Sequence, residues 1–210
     1  MMNRIIELYK EDYNISFKIY IGGKNMIGSH DSFTYLNPIH NIFKLFKFLW
    51  RTQTKTITEQ YNYGVRYFDI RVKYKRNRWY ICHGLITFNV SFASLKHIID
   101  FFNLHYPDSK LRIIYEKGNF EDIFKQEIRE LLDNKILSYA CIKSKWKVLV
   151  NKDPIINDYT YRPFLSDLSL WENIKRMNLF STIKKWAKKH NPKINEDIIN
   201  NNVLYFMDYI

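Results

Sequence analysis

The stretch VRYFDIRVKY, residues 65–74, sets Tyr67, Asp69 and Arg71 on one side and Phe68, Ile70 and Val72 on the other. A period of two is the signature of a strand with two unlike faces. The apolar face needs a covering layer, while the opposite face carries a carboxylate and a guanidinium two residues apart. RWYICHG (78–84), KLRIIYEKG (110–118), KWKVLVNKD (145–153) and NNVLYFMDYI (201–210) also read as strands, and KNMIGSHDS (24–32) as a short strand ending in a loop. Helical spacing marks SFASLKHIIDFFNLHYPDS (91–109), which stops before Pro107, FEDIFKQEIRELLDNKIL (120–137), and much of 169–190. NPIHNIFKLFKFLWRTQTKTITEQYNYG (37–64) predicts a turn running into helix, and residues 1–21 predict a strand or helix of open type. Strands alternating with helices imply parallel pairing through right-handed crossovers. The expectation is one α/β domain over 1–210, with no repeat and no linker.

Composition narrows the setting. No uninterrupted apolar run reaches the ~20 residues that a bilayer-crossing helix needs, and MMNRIIELYKEDYN lacks the apolar core of a secretory signal. Cys82 and Cys141 have no metal-ligand spacing, which fits a reduced compartment. A cytoplasmic protein, peripheral on membranes, is the expected setting. The net charge of +12 raises the local concentration of polyanions without choosing among nucleic acid, anionic lipid and a phosphorylated substrate.

In a closed α/β barrel the working groups sit at the C-terminal ends of the strands. His30 and Asp31 end the first predicted strand, Asp69 and Arg71 lie on the second, His83 ends the third, and Asp208 lies near the end of the last. Each alone has a plain explanation: a polar turn, a salt bridge along one strand, a turn histidine before Gly84, a solvated terminal carboxylate. Their coincidence at four strand ends is harder to explain that way. Two histidines can act as base and acid near neutrality, carboxylates can hold their second ring nitrogens, and an arginine offers planar donors to phosphoryl oxygens. That set suits cleavage of a phosphodiester by a neighbouring hydroxyl and needs no metal.

The ordered segments GSHDS (28–32), NPI (37–39), YGVRYFDIR (63–71), HG (83–84) and VLYFMDYI (203–210), with KKHNP (188–192), resemble the X domain of phosphatidylinositol-specific phospholipases C, in particular its metal-independent bacterial form. The resemblance implies a TIM-type (β/α) barrel, distorted or reduced around strands six and seven because the stretch before the last strand is short. It implies His30 as base on the inositol 2-hydroxyl, Asp208 on its other nitrogen, Arg71 on the phosphoryl oxygens, and His83 as acid oriented by Asp69 and assisted by Asp31. Diacylglycerol and a 1,2-cyclic inositol phosphate are the implied products. Arg71 stands where the calcium-dependent relatives place a carboxylate, so neither a metal nor another cofactor is expected. Glu116 and Lys117 compete for the position of a head-group lysine, and a head-group arginine falls near Lys152 or Asp153.

The expected partners are an inositol phospholipid substrate and an anionic membrane surface, touched by Ile42, Phe43, Phe46 and Trp50 of the 37–51 segment. A catalytically weak relative that binds anionic lipid or inositol phosphate is the alternative. Nucleic acid is the weaker candidate, since neither FKLFKFLWR nor IKKWAKKH matches a known module.

Overall fold

The computed structural model describes residues 27–45, 47–158, 184, 187, 188, 191 and 203–210. The expectations for 1–21 and Phe46, and most of that for 169–190, lie outside them. In chain order the elements are β1 (Ile27–Ser29), α1 (Ile42–Leu45), α2 (Lys47–Trp50), α3 (Ile57–Asn62), β2 (Val65–Lys75), β3 (Arg78–His83), β4 (Ile86–Phe92), α4 (Leu95–His105), β5 (Lys110–Tyr115), α5 (Glu121–Glu130), β6 (Leu137–Ile142), β7 (Lys147–Asn151), β8 (Ile155–Asp158) and β9 (Val203–Met207).

The alternating strand β2 organises the sheet. Along one edge, Tyr67–Val72 pair in parallel with Lys110–Tyr115 of β5. Along the other, the lower part pairs in parallel with β1, and Val72–Lys75 pair antiparallel with β3. The sheet order is β7-β6-β5-β2-β1-β9-β8, with β3 and β4 branching from upper β2. All neighbours from β6 to β8 on that path are parallel, and β7 turns back antiparallel at the edge.

The sheet is curled. The guanidinium of Arg112 on β5 stands 4.6 Å from the ring centre of Phe206 on β9. Three strands apart, those positions would be ~14 Å apart in a flat sheet. Phe68, Ile70, Val72, Leu111, Ile113 and Tyr115 face outward and are buried beneath the helices. Helix α4 answers with Leu95, Ile98, Ile99 and Phe102, all buried at helical spacing. Trp79, also buried, ties the β2–β3 hairpin to α5 by donating from Nε1 to Glu127 Oε1 at 2.8 Å. The architecture is the expected α/β barrel in distorted form, and among the described residues no ladder joins β7 to β8.

Several expectations are corrected. The third strand is not parallel: Arg76 and Asn77, with φ of 50° and 56°, form a two-residue hairpin link that sends β3 back down beside β2. Strands β4, β6 and β8 were not expected. The 37–64 segment is not one helix, because residues 51–54 leave helical conformation and α3 starts afresh. Its start is a capping box, in which Glu59 N donates to Thr56 Oγ1 and Thr56 N to Glu59 Oε2. Trp50 is a core residue: 6% exposed, it packs on Phe88 and donates from Nε1 to the Phe43 carbonyl at 2.9 Å.

Candidate active site

The inward faces of β1, β2, β5 and β9 meet at one end of the curled sheet. His30 follows β1, and its Nδ1 lies 2.8 Å from Oδ1 of the fully buried Asp208, just past β9. The rear of this pair is built from backbone. His30 N donates to Met207 O at 2.9 Å, while the His30 carbonyl accepts from Thr52 Oγ1 at 3.0 Å and Gln53 Nε2 at 3.2 Å. Gln53 Nε2 also reaches Met207 O at 3.0 Å, so one side chain joins the ends of β1 and β9. Gly28 lies below. A Cβ there would come within 2.6 Å of the Phe206 ring, and that ring meets the His30 imidazole edge-on at 5.8 Å. Only glycine lets the two strands approach closely enough to support the histidine.

Asp31 is buried with φ of 47°, a left-handed conformation that costs an ordinary residue ~1–2 kcal/mol. The turn is held by Ser32 N, which donates to the Asp69 carbonyl at 2.9 Å, and by Asp31 N, which donates to Asp69 Oδ2 at 3.3 Å. It aims the Asp31 carboxylate into the centre of the site. Oδ2 lies 3.3 Å from His30 Nε2 and 3.1 Å from His83 Nε2, and Oδ1 is paired with Arg71 Nε. One carboxylate therefore spans both histidines and the arginine.

Arg71 is the hub. Its side chain is 10% exposed and reaches Asp69 Oδ2 at 3.4 Å, Glu116 Oε1 at 3.1 Å and His30 Nε2 at 2.5 Å, in addition to Asp31. Glu116 is held in turn by the Gly84 N–H at 3.2 Å and by Lys143 Nζ at 2.8 Å. Lys143 follows β6 and had no place in the sequence reading, nor did Thr52 and Gln53. The polar TQT run of residues 52–54 was the available signal for the latter two, while nothing local marks Lys143.

All six expected catalytic residues are brought together, with one change of partners. Asp69 lies on Arg71 and on the Asp31 amide, and the carboxylate against His83 Nε2 is that of Asp31. Of the expected substrate-binding residues, Glu116 is in the site and Lys117 is exposed just past the end of β5. Lys152 stands apart, with its Nζ on the Leu132 carbonyl at 2.6 Å. Asp153 instead pairs with Arg112 Nε at 2.8 Å in the interior.

His30, Asp31 and Asp69 offer ligand atoms within 4.8 Å of one another, a set able to hold a divalent ion. Arg71 already contacts all three, so an ion there would have to displace a guanidinium or sit against it. The residues present fit the arginine better than a metal.

The charges separate the two histidines. Burial pushes His30 down, but Asp31 and Asp208 outweigh it and its pKa is raised above 6.5. Burial also pushes His83 down, and with Arg71 and His30 nearby the pull of Asp31 does not restore it, so its pKa is lowered. Arg71 and the two histidines overcome burial at Asp31 and hold it at about 2. In the substrate-free protein, histidine NMR titration is therefore expected to show His30 protonating above 6.5 and His83 below it. Asp208→Asn should move His30 downward and leave His83 nearly unmoved. The reverse order of titration would show that Asp31 serves His83 more than His30.

The fold has counterparts among known proteins, although no family model matches the chain. The phosphatidylinositol-specific phospholipase C of Listeria monocytogenes superposes with a TM-score of 0.55 at 20% identity, covering 88% of both chains. The fold is that of the bacterial phosphatidylinositol-specific phospholipases C. A Staphylococcus aureus phospholipase C of that specificity, solved in work on its membrane binding, gives 0.52 at 14% identity, covering 88% of this chain and 85% of that one. In sequence, 107 residues are 32% identical to the 1-phosphatidylinositol phosphodiesterase of L. monocytogenes. That match takes in 50% of this chain and spans 32% of the relative's length. The family resemblance drawn from GSHDS, YGVRYFDIR and VLYFMDYI thus agrees with both comparisons.

Proposed function

We propose that the chain is a phosphodiesterase that cleaves phosphatidylinositol-type lipids. The observation that carries this reading is the single Asp31 carboxylate spanning His30 Nε2, His83 Nε2 and Arg71. His30, held through Nδ1 by Asp208, takes the proton of the inositol 2-hydroxyl as that oxygen attacks phosphorus. Arg71 turns its donors from the carboxylates to the non-bridging oxygens. The bond from phosphorus to the diacylglycerol oxygen breaks, and His83, charged in the complex by the bound phosphate and by the Asp31 carboxylate that Arg71 releases, protonates that oxygen. One proton is taken and one returned. The products are diacylglycerol and the 1,2-cyclic inositol phosphate. With roles exchanged, His83 can then deprotonate water for a slower opening of the cyclic ester.

The lipid arrives in a bilayer, and α1 offers an apolar surface for it. Ile42 is 58% exposed and Leu45 73%, with Lys44 between them. Phe43 is half-buried against the core, so the outward face is carried by Ile42 and Leu45 and not by Trp50. Apolar side chains with a neighbouring cation suit the surface of an anionic phospholipid membrane. Among the described residues no helix is long and apolar enough to cross a bilayer.

The test is a panel of inositol lipids dispersed in detergent, with and without a strong chelator, followed by phosphorus NMR. The expected result is a five-membered cyclic phosphate formed at the same rate in both arms. Loss on chelation with recovery on adding calcium would place a metal among His30, Asp31 and Asp69. Lipid binding without turnover would favour a catalytically weak binding module.

A further inference from the structure

β1 and β9 pair in parallel as far as Ser29 and Met207, and the ladder ends with His30 N donating to the Met207 carbonyl at 2.9 Å. Beyond it the chain turns sharply on both sides. Asp31 has φ of 47° and Tyr209 φ of 49°, both left-handed and neither a glycine. His30 and Asp208 therefore each stand directly before a strained residue, at the point where the sheet stops holding them. Strain of this kind persists only where the surroundings over-determine the backbone, and it gathers at working sites.

Thr52 and Gln53, between α2 and α3, take over from the sheet together with Thr34, and all three side chains are buried. The Gln53 amide works at both ends. Its Nε2 reaches the His30 carbonyl at 3.2 Å and the Met207 carbonyl at 3.0 Å, and its Oε1 accepts from the Ile210 amide at 3.2 Å. The side chain thus serves as one more rung between the two strand ends.

The hydroxyl protons have fixed directions. Thr34 Oγ1 accepts from the amides of Thr52 at 3.1 Å and Gln53 at 2.9 Å, which occupies both of its lone pairs. Its own proton then goes to Thr52 Oγ1, 2.8 Å away. The Thr52 proton goes on to the His30 carbonyl at 3.0 Å, with the Asp31 carbonyl further off at 3.4 Å. On the other side, the Thr52 carbonyl accepts from the Tyr209 amide at 2.6 Å. Both strained turns are tied to one dipeptide, whose side chains reach the backbone behind the imidazole.

We propose that Thr34, Thr52 and Gln53 form a clasp of positioning residues that fixes the backbones of His30 and Asp208 relative to each other and so aims the imidazole. The clasp holds the 2.8 Å contact from His30 Nδ1 to Asp208 Oδ1, which leaves Nε2 facing the substrate hydroxyl. The role of His30 as base rests on the phosphodiesterase reading, but the alignment is measurable without turnover. Position 53 needs a primary amide, because two N–H groups face two carbonyls while the oxygen faces an amide N–H. A carboxylate of the same shape would set an acceptor against both carbonyls.

The full chain is to be compared with Gln53→Glu, Thr52→Val, Thr52→Ser and Gln60→Glu. Gln60 on α3 is the matched control: like Gln53 it is 0% exposed, and its Nε2 also faces two carbonyls, those of Ser32 and Lys55. On a soluble short-chain inositol phosphodiester, Gln53→Glu should lower kcat ~10²-fold, the cost of a displacement of about 1 Å, and leave KM within about twofold. Thr52→Val should also lower kcat, and Thr52→Ser, which keeps the hydroxyl, should restore it. Gln60→Glu should lower stability to urea and keep kcat near the wild type.

The second readout is proton NMR of histidine-labelled protein, with the His30 Nδ1 proton assigned by its absence from His30→Ala. That proton should exchange slowly in the wild type, Thr52→Ser and Gln60→Glu, and be lost to exchange in Gln53→Glu and Thr52→Val. If the chain cleaves no inositol lipid, the phosphodiesterase reading fails while this signal still decides the clasp. Should Gln53→Glu not fold, the two Thr52 variants decide it. Wild-type kcat with an unchanged Nδ1 proton in Gln53→Glu or Thr52→Val would overturn the proposal. A loss of kcat in Gln60→Glu equal to that in Gln53→Glu would do the same.

Discussion

His30→Ala and His83→Ala are each expected to lower cyclic-phosphate formation by ~10²–10⁴, the usual cost of losing a positioned acid or base. The two losses should differ in kind. A substrate whose leaving group departs without a proton should restore most of the rate to His83→Ala and little to His30→Ala, because only the former supplies that proton. The histidine side chains are 15% and 21% exposed, so truncation opens no deep cavity. His30→Ala does strip the buried Asp208 of its partner, and circular dichroism should accompany the assay. Free imidazole should partly rescue His30→Ala if the fold is kept. Near-wild-type turnover in either variant would overturn the assignment of base and acid.

The sequence made the site more legible than the sheet that carries it. Asp69 and Arg71 could be placed on one face because β2 alternates without interruption, and His30 and Asp208 because both follow short apolar strands. The direction of β3 was hidden in a two-residue link. Arg76–Asn77 carries no glycine, so a hairpin that brings His83 down onto Asp31 read as a further parallel strand. β4 does alternate, with Ile86, Phe88, Val90 and Phe92, but it abuts a helix start and was absorbed into the surrounding loop. β6, LSYACI, is a short, mostly apolar run after an amphipathic helix, where periodicity cannot tell a buried strand from a helix end. Trp50 misled for a related reason. A helix with large apolar residues on all sides can be exposed or buried on any of them, and packing against Phe88 settled which. The Glu116–Lys143 pair depends on neighbouring strands in register, which no local pattern reveals.

Replacing Arg71 tests chemistry and stability together, and the two should part company. Arg71→Lys is expected to lose nearly as much activity as Arg71→Ala. An ammonium restores the charge but not the planar fork that must first hold Asp31, Asp69 and Glu116 and then follow the phosphoryl oxygens. Stability should respond to charge more than to shape. With Arg71 gone, three buried carboxylates lose their common partner, and breaking a buried pair typically costs ~3–5 kcal/mol. Arg71→Lys should recover a good part of that. The deficit should also depend on pH. Arg71 is the main attraction lowering Asp31, to about 2, and Glu116 below its usual value, so its stabilisation is present above the unfolded carboxylate range. It is lost as pH falls through that range toward the folded values, where the carboxylates protonate in either protein. Urea unfolding at neutral pH should therefore show Arg71→Ala far below the wild type, with the gap narrowing between about pH 4 and pH 2. A gap that stays constant over that interval would mean that Arg71 supports the fold by packing and not through its carboxylates. Arg71→Lys retaining wild-type turnover would mean that the phosphate is held elsewhere.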